Sequence, residues 1–184
     1  MCYSAQIWAD YRRYTRAFGA ELSVTDFSEL FWRRQSDSKV KVPKAMEAAF
    51  AEPTNEPARR IKVLMDEFAT EEATKLEQEL FKQRKRVADA ERTLQTKTTK
   101  AALESMRIGA DKIESTMARL SDLRRTELVD RDSRIFPGHY APVMVMENGR
   151  RVLKPMRYQC RPAGKPAFYD TKYPGTYNAR RDSL

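Results

Sequence analysis

Residues 140–158 read YAPVMVMENGRRVLKPMRY, and this stretch decides what kind of fold the chain builds. Two apolar runs, 143–146 and 152–156, flank the tetrapeptide ENGR. An Asn-Gly pair between such runs is a strong short-range signal for a β-hairpin, because a type I′ turn needs positive φ at both central residues. Pro155 has no amide donor, so the second strand is expected to end there or to lie at a sheet edge. The chain therefore contains a β-rich segment, whatever else it holds.

Outward from the hairpin the character changes in both directions. Downstream, residues 160–184 (CRPAGKPAFYDTKYPGTYNARRDSL) are rich in Pro, Gly and Tyr and stop without a capping element, which reads as a β-rich domain interrupted at its C-terminal side. Upstream, residues 58–130 carry a helical pattern. Ile61, Leu64, Met65 and Phe68 lead into Leu76, Leu80, Val87 and Leu94. A second series, Leu103, Met106, Ala110, Ile113, Met117 and Leu120, has spacings of 3, 4, 3, 4 and 3, a heptad seam. The Thr-rich stretch 96–99 between them is poor helix material, either a bend between antiparallel helices or a weak spot in one long helix. The region reads as a coiled-coil hairpin without catalytic groups, suited to partner binding or self-association.

Nearer the N-terminus, residues 5–34 read as helical, with Ile7, Tyr11, Tyr14 and Phe18 on one face and Phe27, Leu30 and Phe31 on another. Thr25 or Asp26 is a suitable N-cap for the second of these helices. Residues 36–57, punctuated by Pro43, Pro53 and Pro57, read as a linker with one short helical turn. The expected class is α+β in three stretches: 1–57, the helical insertion 58–130 and the β-rich segment 131–184.

The chain of 184 residues has a net charge of +9, unevenly spread. Residues 1–57 hold eight basic and eight acidic residues, and residues 58–130 sixteen and fourteen. Residues 131–184 hold eleven and four, or +7, interleaved with Tyr140, Tyr158, Phe168, Tyr169, Tyr173 and Tyr177. Basic and aromatic residues so mixed suit a phosphate backbone with exposed bases, and equally an ordinary basic surface. No apolar run reaches the roughly 20 residues that span a bilayer, and the N-terminus lacks an apolar signal core, so no membrane partner and a cytoplasmic location are expected. The one histidine, His139, and the two cysteines, Cys2 and Cys160, are too scattered for a zinc site or a disulfide framework. No metal or cofactor is expected. His139 reads as a surface or turn residue and Cys160 as a small buried one.

Cys2 is a different matter. Removal of Met1 leaves an α-amine and a thiol on adjacent carbons, with reference pKa values of roughly 7.7–8.0 and about 8.5. Both groups are partly nucleophilic at neutral pH. Such a 1,2-aminothiol captures an aldehyde twice, first as a Schiff base and then as a five-membered thiazolidine. Position 2 alone does not separate this chemistry from an incidental cysteine.

Four features in order resemble the SOS response-associated peptidase family of abasic-site processing proteins: Met-Cys at the start, YAPVMV at 140–145, MRYQCRP at 156–162 and Asn-Ala-Arg at 178–180. The resemblance covers the first residues and roughly 135–184, leaving the helical region as an insertion. It implies a β-rich core and a protein that binds single-stranded DNA and joins Cys2 to abasic sites as a thiazolidine. It also implies that Asn178 holds the reacting centre, that Arg157 and Arg180 contact phosphate, and that Tyr158 stacks on a base. The chain departs from the family pattern in having Tyr3 and Ser4 after Cys2, Tyr158 in place of a tryptophan, and no Glu and His after Asn178–Arg180. The rival readings are a non-catalytic coiled-coil protein with a basic nucleic-acid-binding tail, and an inactive truncated family member.

Overall fold

The computed structural model describes residues 5–6, 11–37, 39–159, 161–166 and 168–173. The fold is mixed α+β, in two compact units. One is drawn from Met1–Met65 and Leu128–Leu184, the other is Asp66–Glu127.

In the first unit, β1 (Ala5–Gln6), α1 (Tyr11–Phe18), β2 (Glu21–Leu22), α2 (Val24–Ser36) and α3 (Lys44–Ala48) precede the start of α4 (Glu56–Thr96). After α5 (Lys100–Arg124), the unit resumes with a 3-10 turn (Asp130–Ser133), β3 (Arg134–Ile135), β4 (Tyr140–Glu147), β5 (Arg150–Arg157) and α6 (Tyr169–Lys172). Strand β5 lies between β4, antiparallel, and β2, parallel, while β1 pairs antiparallel with β3. The Asn-Gly signal is fulfilled: Glu147 faces Arg150, and Asn148 and Gly149 have φ of 49° and 77°.

Pro155 does not mark an outer strand, since β5 is central and continues to Arg157. Hydrogen-bond parity explains this. The Leu153 carbonyl accepts from Ser23 N at 3.0 Å, so alternate residues of β5 direct their polar groups toward the β2 side. Pro155 shares that parity, and β2 has already ended at Leu22. Its partner Pro142 lies similarly on β4, two residues beyond Tyr140, whose N–H donates outward to the Lys41 carbonyl at 2.9 Å. Each missing N–H falls where no strand would use it.

The core gathers Phe27, Leu30 and Phe31 of α2 with Leu153, Ile135 and Ala141 of the strands. Val40, Met46 and Phe50 belong to the same cluster, so residues 36–57 are not the expected linker. Phe50 packs against Phe27 and Phe31 with ring centroids 5.3 and 5.9 Å away. Two of the three prolines that suggested a linker begin helices instead: Pro43 is the N-cap of α3, the short helical turn expected here, and Pro57 sits in the first turn of α4, where a missing N–H costs nothing. The two helices expected over 5–34 are present as α1 and α2, but β1 and β2 lie outside that expectation, because their partners are distant in sequence and invisible to a local pattern.

The second unit is the antiparallel pair formed by α4 and α5. The Thr-rich stretch is the bend, and Thr99 Oγ1 caps α5 by accepting from Ala102 N at 3.1 Å. The seam overlaps the expected one at Leu76 and Leu120 and otherwise lies beside it. Its buried residues are Leu76, Gln83 and Ala90 on α4 and Ala102, Gly109, Thr116 and Leu120 on α5, whereas Leu103 and Met117 are 45% and 49% exposed. Small residues hold the heptad positions because the helices approach closely. A Cβ on Gly109 would stand 2.6 Å from Val87 Cγ2. The unit is also shorter than the expected insertion, since Ile61, Leu64 and Met65 pack in the first core.

Val87 is β-branched and stiff at χ1, so the contact at Gly109 does not relax easily. Overpacking of this kind costs about 1–3 kcal/mol, against roughly 1 kcal/mol gained by Ala over Gly in a helix interior. Gly109→Ala is expected to lower stability in the native background and to raise it by about 1 kcal/mol in Val87→Ala, where the next neighbours lie at 3.6 and 3.8 Å. Urea unfolding followed by circular dichroism measures the cycle, and equal effects in both backgrounds would contradict the close approach.

Candidate nucleic-acid interface

At the C-terminal end of β5 the chain leaves the sheet carrying Arg157 and Tyr158. A two-way backbone clasp fixes this point. Tyr158 N donates to the His139 carbonyl at 2.7 Å, and Gly138 N donates to the Tyr158 carbonyl at 2.8 Å. Gly138 has φ of 88°, and its absent side chain leaves room for Arg157, whose Nη2 would lie 3.5 Å from a Cβ there. The Tyr158 ring packs against the core and is half-buried.

Arg157 is 43% exposed in its side chain and pairs through Nη1 with Asp170 Oδ2 at 3.4 Å. Arg161 Nε lies 3.8 Å from the other carboxylate oxygen, Oδ1. Asp170 is only 8% exposed, so one nearly buried carboxylate holds two half-exposed guanidinium groups. Two forks presented side by side suit bidentate recognition of phosphate.

The next turn adds aromatic faces. Tyr169 and Tyr173 pack with ring centroids 4.4 Å apart, and Lys165 and Lys172 lie over them at 5.9 and 5.6 Å. Phe168 beside them is 65% exposed. Cations over paired, tilted rings on an exposed turn are elements that a single-strand binding surface uses. Of the residues expected to act on DNA, Arg157 and Tyr158 begin this surface, whereas Cys2, Asn178 and Arg180 lie outside the described residues. Arg161, Lys165, Asp170 and Lys172 went unrecognised as individuals. Their only sequence signal is the interleaving of basic and aromatic residues after 156.

A cavity of the first unit, about 380 Å³ between α2 and the β4–β5 hairpin, differs in charge from this surface. Its Lys154 pairs with Asp26 at 3.2 Å and Glu147 at 2.6 Å, which raise its affinity for a proton. Asp26 is held below the usual carboxylate range, first by the Ser23 hydroxyl and then by Lys154. Three carboxylates, Asp26, Glu29 and Glu147, outnumber the two cations, Arg33 and Lys154, and leave little for an anion. Among the described residues, no three His, Cys, Asp or Glu side chains group as metal ligands, and no helix is long and apolar enough to cross a membrane.

His139 sits at the base of the clasp, with its ring edge-on to Phe136 at 5.4 Å and its Nδ1 buried without a hydrogen-bond partner among the described residues. Burial, and secondarily the charge of Lys41, push its pKa below the ordinary value. The neutral ring is thus favoured by folding, and its contribution is complete above the unfolded-state pKa of about 6.5. That contribution is lost as pH falls from about 6.5 toward the folded-state pKa, because the unfolded chain binds the proton first. Thermal unfolding is therefore expected to show stability falling on acidification through this window, and His139→Gln is expected to flatten the dependence. An unchanged slope in the variant would assign the titration elsewhere. Compared with known proteins, the chain matches no family model, no curated protein and no solved structure.

Proposed function

We propose that the chain binds single-stranded DNA through the surface that begins at Arg157, and that Cys2, freed by removal of Met1, joins it covalently to abasic sites. The protein would then have the β-rich plan of the abasic-site processing family, with a helical hairpin inserted. The observation that carries the proposal is the register Ala5↔Ile135, which ties the start of the chain into the unit that holds Arg157. Cys2 precedes Ala5 by three residues, so covalent reach alone keeps their Cα atoms within about 11 Å. Ile135 is itself in the core, which makes that tether firm.

The chemistry balances without a cofactor. The α-amine adds to the ring-opened aldehyde and expels water, giving a protonated Schiff base. The thiolate then adds to the same carbon, and the nitrogen keeps the proton required for a neutral thiazolidine. Ring closure is intramolecular and gains the effective-molarity advantage. A lysine, with an amine alone, or an internal cysteine, with a thiol alone, forms only a reversible adduct. Phosphate contacts at Arg157 and Arg180 would hold the strand, with Asn178 orienting the reacting centre. The basic and aromatic turn 165–173 also supports non-covalent binding by itself, which is the second reading.

Intact-mass analysis of the trimmed chain with an abasic single-stranded oligonucleotide separates the two. A heat-stable adduct is expected, absent in Cys2→Ser and in a Met1-retaining form, while both variants still bind the oligonucleotide. Arg157→Ala is expected to lower the salt slope of single-strand binding by about 0.7. An adduct in the Met1-retaining form would overturn the aminothiol mechanism, and the absence of an adduct in the trimmed chain would leave non-covalent binding.

A further inference from the structure

The charges of the helical hairpin are close to balance in number but not in placement. Several of its cations meet carboxylates: Lys75 with Glu71 and Glu72, Arg107 with Glu104 and Asp111, and Arg119 with Glu72 across the helices at 3.2 Å. The run KQRKR at 82–86 sets four cations within five residues. Among the described residues, Lys82, Arg84 and Lys85 have no ion-pair partner. The nearest carboxylates on their own helix are engaged elsewhere. Glu79 accepts from Gln83 Nε2 at 2.7 Å, and Asp89 pairs with Arg92 at 3.0 Å.

Two of these lysines line a groove. Lys82, Lys85 and Arg86 from α4 face Ser105 of α5 and Thr99 of the bend across a space of about 510 Å³. Arg86 is held there by donation from Nε to Ser105 Oγ at 2.9 Å, and the charge of Glu104 on α5 acts on it as well. The only carboxylate in the lining is Asp89, already neutralised by Arg92.

We infer that this groove is a second phosphate-binding surface that takes the backbone of a nucleic acid. Residues three and four apart on a helix stand about 5–6 Å from each other. Lys85 and Arg86 therefore both stand one turn from Lys82, and the three cations form a small cluster that can hold a phosphate, with hydroxyls beside them for the remaining oxygens. The lining contains no aromatic and no large aliphatic side chain. Protein partners are anchored by such groups, so an acidic protein segment is the poorer fit. The site lies in the helical pair alone and does not depend on Cys2 or Arg157.

The test uses the full chain and an undamaged single-stranded oligonucleotide, with anisotropy measured over a salt series and helicity checked by circular dichroism. Lys82→Ala/Lys85→Ala keeps the Arg86–Ser105 bond and is expected to reduce the salt slope by about 1.4, or about 0.7 per lost contact. The same reduction is expected in an Arg157→Ala background, which separates this site from the first. Arg84→Ala removes an unpaired cation of the same run outside the groove and is expected to leave the slope unchanged. An unchanged slope in the double variant, or an equal reduction from Arg84→Ala, overturns the proposal. So does loss of polyglutamate binding with oligonucleotide binding intact, which would assign the groove to an acidic protein. Failure of the Cys2 adduct would leave all of these outcomes unaffected.

Discussion

Leu153 is 1% exposed at the centre of β5, and the rest of the first unit is arranged around its burial. Hiding a leucine side chain contributes about 1.5–3 kcal/mol, but its position matters more than its magnitude. Leu153 faces Leu22 of β2 and Met144 of β4, and it shares a cluster with Phe27 and Phe31 of α2. One residue thus requires a short parallel strand, an antiparallel hairpin and a helix to be in place together. A one-residue slip would turn Leu153 to the opposite face, so the register of β5 is strongly specified. The same register sets where Arg157 and Tyr158 emerge.

The candidate surface follows from what happens just past that strand. A glycine turn and two backbone hydrogen bonds stop the chain, and Asp170 collects Arg157 and Arg161. The carboxylate is nearly buried while its partners are half-exposed, so it orients the guanidinium groups without covering them. Lys154 shows the opposite arrangement in the same sheet, with one cation enclosed by two carboxylates. The distinction between an anion-binding surface and a structural ion pair is drawn here by the ratio of charges and their exposure, not by residue type.

What was legible in the sequence was what local chemistry decides. Asn148–Gly149 announced its turn, the Thr-rich stretch marked a break without deciding between a bend and a weak spot, and Phe27, Leu30 and Phe31 marked the core face of α2. What was not legible depended on contacts between distant segments. The two-residue strands β1 and β2 exist because β3 and β5 accept them. Phe50 joins the core although the prolines around it read as a linker. The hairpin seam keeps Leu76 and Leu120 but draws in Ala102 and Gly109, because close approach rewards small side chains that a hydrophobicity pattern passes over. Of the candidate site, the pattern after residue 156 indicated the surface, but the role of Asp170 required a side-chain geometry that no spacing encodes.

The claim that the end of β5 is a nucleic-acid surface is tested most directly by amide hydrogen exchange with and without an undamaged single-stranded oligonucleotide. Exchange should slow in peptides covering 157–173, while the turn at 148–149, at the opposite end of the β4–β5 hairpin, stays unchanged. Protection confined to that turn, or no change over 157–173 at saturating oligonucleotide, would contradict the account.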